Sequence, residues 1–326
     1  METLFYPLQF QPVYQTYLWG GGRLRQQLNR LDAPEGIVAE SWEVTDRPDG
    51  MSVVRNGPQA GKSLRELIEA DAAGILGRGH DPAARFPLLI KVLDAAQTLS
   101  VQVHPNDATA AEFGGEAKTE MWYVLDAAPD AVVYCGLKEG VTPERFRTAI
   151  AKQRLEEWMV TLPVKAGDAI FVPGGRVHAI GAGCLLLEVQ QNSNTTYRIY
   201  DWGRVGADGK ARELHVAQAL EVTLWRDPDS ALTPAVALPR LPGWKNRELI
   251  LQSPYFRLEK LETAESTVLR SDGSGFQVLF ALEDPLTLTG GGETVVVAPG
   301  SSVLLPAGLR EVILPAGARF VRITER

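Results

Sequence analysis

The sequence is poor in the features that mark several common protein classes. Only two of its 326 residues are cysteine, which excludes a disulfide-stabilised secreted scaffold and favours a reducing, cytoplasmic location. No apolar run approaches the ~20 residues of a transmembrane helix, and the first residues lack the pattern of a signal peptide, so we expect no membrane partner. Acidic residues outnumber basic ones by 40 to 33, and the absence of a basic stripe argues against a nucleic-acid partner.

Glycine and proline, by contrast, are frequent and evenly spread, with 31 and 21 residues. They separate short apolar stretches rich in β-branched residues, which predicts a mainly β protein built as a sandwich or barrel. At ~150 residues per domain the length suggests about two domains. Three prolines fall between residues 231 and 243, so we expect a catalytic domain over 1–230 and a second domain over 231–326.

Few segments have helical signals. The capping box Ser63-Leu-Arg-Glu66 predicts a helix that opens an insertion around residues 62–85. Thr142 followed by Pro143 predicts the start of a helix near residues 143–159. Shorter helices are expected over 107–113 and 213–224.

One motif occurs twice. Gly167 to His178 has the spacing G-x5-P-x-G-x2-H, and Gly300 to Glu311 repeats it with a carboxylate in place of the histidine. The first copy resembles the second motif of the cupin superfamily, in which that histidine binds a metal inside a small β-barrel. This resemblance implies two cupin-type β-sandwich or jelly-roll barrels with a small helical insertion, the C-terminal one degenerate and without metal.

A second group of candidate ligands precedes the first copy. The stretch Leu99–His104 alternates, so Gln102 and His104 share one strand face, where residues at i and i+2 can converge on one ion. Glu120 opens the next predicted strand and is a natural third ligand. With His178 these residues supply two imidazoles and two oxygens. Such a set suits one divalent ion with open positions, zinc first, although manganese, cobalt, nickel or iron could fit.

Two further features are polar where a buried strand would usually be apolar. The segment from Cys184 to Gly203 is unusually polar for strands. It could form a hydrated hairpin with Asn192-Ser-Asn194 as its turn, or line a pocket for a polyhydroxylated anion. Lys91 interrupts an apolar strand, where a lysine is either paired or faces a ligand.

In combination, several segments resemble the type I phosphomannose isomerases of the short bacterial kind. The resemblance implies Gln102, His104, Glu120 and His178 as metal ligands. It also implies Arg198, Lys118 and Glu188 as catalytic residues and Ser100 and Lys91 as substrate-binding residues. Longer members have a histidine where Ala117 stands, so a mechanism that needs that base is in doubt. The matching segments are Trp19–Gly21, Glu40–Glu43, Leu89–Leu93, Leu99–Asp107, Lys118–Tyr123, Pro173–His178 and Glu188–Trp202.

The resemblance implies a metal-dependent interconversion of mannose 6-phosphate and fructose 6-phosphate through an enediol or enediolate intermediate. Lys118 is the first candidate base, with Glu188 or a metal-bound water as the alternative, and Arg198, Ser100 and Lys91 would hold the phosphate or the developing oxyanion. Two other functions stay open: an iron cupin dioxygenase and a non-catalytic bicupin that binds a sugar phosphate. The expected partner is a sugar phosphate, and the expected assembly is a monomer or weak homodimer.

Overall fold

The computed structural model describes residues 5–205 and 209–326, and strands predominate over helices in them, so the prediction of a mainly β protein is confirmed. The strands are β1 Phe10–Gln11, β2 Val13–Gln15, β3 Glu40–Val44, β4 Asp46–Arg47, β5 Gly50–Met51, β6 Val53–Val54, β7 Leu88–Ala95, β8 Val101–Val103, β9 Glu120–Ala127, β10 Val132–Leu137, β11 Met159–Pro163, β12 Ala169–Val172, β13 His178–Ile180, β14 Cys184–Gln191, β15 Tyr197–Tyr200, β16 Val236–Ala237, β17 Trp244–Gln252, β18 Phe256–Thr263, β19 Thr267–Arg270, β20 Gln277–Ala281, β21 Leu286–Gly290, β22 Glu293–Val297, β23 Ser302–Leu305, β24 Glu311–Leu314 and β25 Arg319–Glu325. The α-helices are α1 Arg23–Gln26, α2 Leu64–Ala70, α3 Ala72–Ile75, α4 Asp107–Phe113, α5 Pro143–Ala151 and α6 Val216–Val222, and 3-10 turns lie at Gly57–Gln59 and Leu155–Trp158.

The helices begin where the capping residues predict. Both hydrogen bonds of the Ser63 capping box are present at α2, and Thr142 caps α5 through its side chain. Helix α5 nevertheless ends at Ala151, short of the expected residue 159. Gln153 has a φ of 52°, a left-handed conformation that cannot continue an α-helix, and a 3-10 turn follows it.

The contacts between residues divide the chain into two compact units. The central unit comprises 14–41 and 92–233, and the C-terminal unit comprises residues up to 13 together with 42–91 and 234–326. The C-terminal unit is therefore assembled from three separate segments, whereas the sequence suggested two continuous domains. A change in composition marks linkers, but it carries no information about which distant strands pair. The assignment of a catalytic and a degenerate domain stays a prediction.

The central unit contains two packed sheets. One has the order β11-β10-β13-β8-β15, and the other includes the neighbouring strands β12, β9 and β14. Apolar residues of both sheets, such as Val133 and Trp122, share one buried cluster, as in a β-sandwich. Since β14 and β15 belong to different sheets, the polar segment around Asn192-Ser-Asn194 crosses between sheets, and the hairpin alternative is wrong.

The C-terminal unit repeats the two-sheet architecture. A six-stranded sheet of order β16-β17-β18-β25-β20-β23 packs on a four-stranded sheet of order β19-β24-β21-β22. Side chains of both sheets, including Phe320 and Leu288, form its core. The expected pair of β-sandwiches is thus present. Within the described ranges, no helix combines the length and apolarity needed to cross a membrane.

Candidate active site

Three polar side chains form a row across the five-stranded sheet of the central unit. His178, the first residue of β13, lies opposite Gln102 of β8, and Gln102 lies opposite Arg198 of β15. Directly opposed residues of antiparallel strands project on the same face. The row therefore presents an imidazole, an amide and a guanidinium to one side of the sheet.

A carboxylate of the other sheet meets this row. Glu120 opens β9 opposite Gln190 of β14, and its Oε1 lies 3.3 Å from Nε2 of His178. Its Oε2 lies 3.6 Å from Nε2 of His104. The possible ligand atoms of these two histidines and Glu120 all lie within 4.8 Å of one another, and all three residues are buried. The structure thus brings together three predicted ligands from three separate segments.

Both histidines are oriented by backbone carbonyl groups. Nδ1 of His104 lies 2.8 Å from the carbonyl oxygen of Thr195, and Nδ1 of His178 lies 2.8 Å from that of Arg176. A carbonyl only accepts, so each Nδ1 carries the proton and donates it. In the neutral ring, each Nε2 then has a lone pair that faces Glu120. This is how metal-binding histidines are usually held, and the donor set fits a divalent cation.

Gln102 reaches the same cluster with its terminal amide. Its Nε2 lies 3.3 Å from Nε2 of His178. A 180° rotation of the amide exchanges its nitrogen and oxygen without moving other atoms, so the side chain presents either atom to the cluster. The rotated form would offer Oε1 as the fourth ligand.

The amino group of Lys118 lies directly at these groups. Its Nζ lies 2.9 Å from Oε2 of Glu120 and 3.3 Å from Nε2 of His104, and the residue is buried. Burial lowers the pKa of His178 to about 4, and the charge of Lys118 contributes in the same direction. His178 is therefore neutral near pH 7, which is the form that binds a metal.

The other predicted site residues have varied surroundings. In the central unit, Oε2 of the buried Glu188 accepts a hydrogen bond of 3.1 Å from the indole of Trp122. Nη1 of Arg198 donates to the carbonyl of Glu213 at 3.0 Å. Burial and then the charge of neighbouring Arg212 lower the pKa of Arg198.

The two predicted substrate-binding residues, Ser100 and Lys91, are both buried. Ser100 is buried two residues before Gln102. Lys91 is also buried, but it belongs to the C-terminal unit. Its Nζ lies 5.2 Å from the ring centre of Trp42, within cation–π range. The roles of both residues stay predictions.

Sequence reasoning missed several residues that support the cluster. The backbone carbonyls of Thr195 and Arg176 orient the histidines, and a carbonyl leaves no signal in a sequence. Gln190 lies in the polar segment from Cys184 to Gly203, and the sequence does not indicate that it pairs with Glu120. Its amide nitrogen donates to the carbonyls of Gln191 and Ser193 at 2.8 and 2.7 Å, while its buried Oε1 has no hydrogen-bond partner among the described residues.

Comparisons with known proteins show the family to which this chain belongs. The sequence model described as "phosphomannose isomerase type I, catalytic domain" matches residues 8–131. The mannose-6-phosphate isomerase of Streptococcus mutans is 36% identical over 92% of each chain. The chain belongs to the type I phosphomannose isomerase family. Another member, ManA of Bacillus subtilis, is 38% identical over 94% of each chain.

Solved structures of phosphomannose isomerases have the same fold. The crystal structure of the Bacillus subtilis mannose 6-phosphate isomerase matches with a TM-score of 0.87 at 30% identity, over 98% of this chain and 99% of the other. A putative mannosephosphate isomerase of Archaeoglobus fulgidus matches with a TM-score of 0.79 at 22% identity, over 100% and 99%. Family membership and a buried His-Glu-His group together make this cluster the candidate metal centre.

Proposed function

We propose that this chain is a metal-dependent aldose–ketose isomerase that interconverts mannose 6-phosphate and fructose 6-phosphate through an enediol or enediolate intermediate. The observation that carries the proposal is the buried convergence of His104, Glu120 and His178 in a chain of the phosphomannose isomerase family. Lys118 lies within hydrogen-bonding distance of the same carboxylate. A structural cluster alone would not require a lysine among the donor atoms.

The proposed metal ligands are His104, Glu120 and His178, with Gln102 as the fourth. Two imidazoles and oxygen donors suit zinc, and the absence of thiolate ligands favours a catalytic site over a closed structural one. A bound divalent ion would supply Lewis-acid polarisation of the C1 and C2 oxygens of the sugar and stabilise the negative charge that develops there.

The protein must also carry a proton between C1 and C2. Lys118 is our first candidate for this base, because its Nζ is the side-chain nitrogen that reaches both His104 and Glu120 within 3.3 Å. Glu188 is the alternative, since it is buried in the same unit and its carboxylate is held by Trp122. If Lys118 is the base, Lys118→Met abolishes proton exchange while Glu188→Gln retains it; the reverse result assigns the base to Glu188.

Arg198 is proposed to hold the anionic part of the substrate. Its guanidinium lies in the sheet row that contains Gln102 and His178. Nε of Arg198 is buried and has no hydrogen-bond partner among the described residues. An arginine with unused donors binds phosphate or an oxyanion well. Ser100, which lies in the same unit, is proposed to assist it.

The test is direct. Purified protein supplied with mannose 6-phosphate should form fructose 6-phosphate, followed by a coupled assay. In deuterated water the product should carry deuterium at C1 if the proton exchanges with solvent in the intermediate. Absence of turnover in metal-loaded protein would contradict the proposal.

Two rival functions gain no specific support. Two histidines and one carboxylate also bind iron in dioxygenases, but Gln102 and Lys118 reach the same cluster here. Uptake of oxygen without isomerisation would favour that rival, and binding of mannose 6-phosphate without turnover would favour the non-catalytic bicupin. We further propose a cytoplasmic location, supported by the two buried free cysteines.

A further inference from the structure

The turn that precedes His178 contacts all three ligand-bearing segments of the central unit. We call residues Pro173–Arg176 the PGGR turn. The Gly174 N–H donates to Oγ1 of Thr119, the neighbour of Glu120, at 3.2 Å. The Gly175 N–H donates to the carbonyl of His104 at 2.7 Å. The carbonyl of Arg176 accepts the Nδ1 proton of His178 at 2.8 Å.

The PGGR turn has no room to shift. A Cβ atom on Gly174 would lie 2.7 Å from Cα of Asn106, and Gly175 has a φ of +94° with Leu224 side-chain atoms 2.6 Å from its Cβ position. Both glycines are required because the chain approaches its neighbours this closely. A displacement of the turn therefore moves the ligand segments with it.

The side chain of Arg176 fixes the turn to a more distant segment. It is buried, and its Nε and Nη2 form a two-point ion pair with Asp227, the Nη2 bond measuring 2.6 Å. Nη1 also donates to the carbonyl of Phe171 at 2.8 Å, and Nη2 to that of Asp229 at 3.0 Å. The Leu224 N–H adds a bond of 2.8 Å to the carbonyl of Gly175.

We infer that the Arg176–Asp227 pair is a clamp on the PGGR turn and, through the turn, sets the affinity of the His104–Glu120–His178 cluster for its metal. The inference rests on the proposed metal site. Arg176 and Asp227 are positioning residues and take no part in the chemistry. A two-point pair fixes both the distance and the plane of the guanidinium, so the peptide that orients His178 has one available position.

Removing the clamp should weaken metal binding. Partners that orient a ligand from outside typically contribute 10–100-fold to metal affinity. In Asp227→Asn the charge pairing is lost while the volume is retained. We expect the affinity for Zn²⁺ to fall by about 10–100-fold, and Asp227→Glu to restore part of it because the carboxylate returns.

A matched control exists in the C-terminal unit. Glu259 is buried and paired with Arg257 and Arg322, at 2.7 Å to Nη2 of Arg257 and 2.8 Å to Nε of Arg322. In Glu259→Gln a comparable charged network is lost in the unit that does not contain the cluster. We expect this variant to lose thermal stability but to bind Zn²⁺ within twofold of the wild type.

The experiment measures Zn²⁺ affinity of the metal-free proteins by competition with a chromophoric chelator. It also records the visible spectrum of the Co²⁺-loaded proteins, which reports ligand geometry. The inference predicts weaker Zn²⁺ binding and shifted Co²⁺ bands in Asp227→Asn but not in Glu259→Gln.

Zn²⁺ affinity within twofold of the wild type in Asp227→Asn, or an equal loss in Glu259→Gln, would overturn the clamp and leave the proposed function intact. Wild-type protein that fails to bind Zn²⁺ or Co²⁺ would overturn both.

Discussion

The two copies of the glycine–proline motif have the same order of strand, turn and strand but present their last residue to opposite environments. In each copy a four-residue strand, β12 or β23, precedes the proline, and a new strand begins at the last motif residue, His178 or Glu311. His178 is fully buried. The side chain of Glu311 is 61% exposed and lies 3.1 Å from Arg270.

The difference extends to the neighbours of each copy. Arg176 of the first copy is clamped by Asp227, whereas Leu309 occupies the same place in the second and packs in an apolar core. His178 lies opposite Gln102, whereas Glu311 lies opposite Arg270 at the surface. The same spacing of glycine and proline thus accompanies the same order of strand, turn and strand, and residues elsewhere in the chain determine whether a site forms.

The largest effect should follow from removing a ligand of the first copy. A metal-binding free energy of ~10–16 kcal/mol spread over four ligands leaves ~2.5–4 kcal/mol for each. His178→Ala or Glu120→Gln should therefore lower Zn²⁺ affinity by roughly 10²–10³-fold and abolish turnover. Metal analysis after dialysis and the isomerase assay measure both effects. Retention of a full equivalent of metal in either variant would remove these residues from the ligand set.

Arg198→Ala should lower kcat/KM by roughly 10²–10³-fold, because the donors for the substrate anion are lost. The metal content should not change, since Arg198 is not among the ligands. The control is Arg270→Ala, because Arg270 lies opposite Glu311 of the second copy. This variant should retain full activity. Equal activity of the two variants would contradict the role assigned to Arg198.

Substitutions of two glycines in the first copy distinguish the cost of backbone strain from the loss of support for the His104–Glu120–His178 cluster. Gly167 and Gly175 both have positive φ, but a Cβ on Gly167 meets no atom within 4 Å. Gly167→Ala should reduce the free energy of unfolding by ~1–2 kcal/mol, the cost of the left-handed conformation. Gly175→Ala should reduce the free energy of unfolding by more, because its Cβ collides with Leu224. This variant should also bind Zn²⁺ more weakly. Denaturant unfolding and chelator competition test this, and equal losses would argue against close packing of the turn.

The smallest effect should come from the last residue of the second copy. Glu311→Gln removes an ion pair in which both side chains are more than half exposed, and such pairs contribute ~0–1 kcal/mol. Stability, metal content and turnover should all remain near those of the wild type. A tenfold loss of activity would show that the second copy contributes to the site.

Much of the local structure was predictable, because short-range signals determine it. Helix α4, for example, has the predicted bounds, 107–113. The nine-residue strand β17 was not anticipated: charged residues follow Trp244, and the burial of this strand is mostly intermediate. The grouping of 42–91 with the C-terminal residues was also missed, since strand pairing over long separations has no local signature.

The candidate site was predictable to a similar extent. Alternation and the motif spacing indicated Gln102, His104 and His178, which the structure brings to one cluster with Glu120. The clamp between Arg176 and Asp227 was not foreseen, because 51 residues separate them and neither lies in a recognisable pair motif. The role of Lys91 also stays a prediction, since an apolar run shows burial of a lysine but not its partner.

We expect isomerisation by this chain to depend on a divalent ion held by His104, Glu120 and His178. The most direct measurement is elemental analysis of the purified protein alongside turnover of mannose 6-phosphate before and after thorough chelation. We expect about one equivalent of metal per chain. Turnover should be lost when the metal is removed and should recover when Zn²⁺ or another divalent ion is returned. Full turnover by protein shown to be free of metal would contradict it.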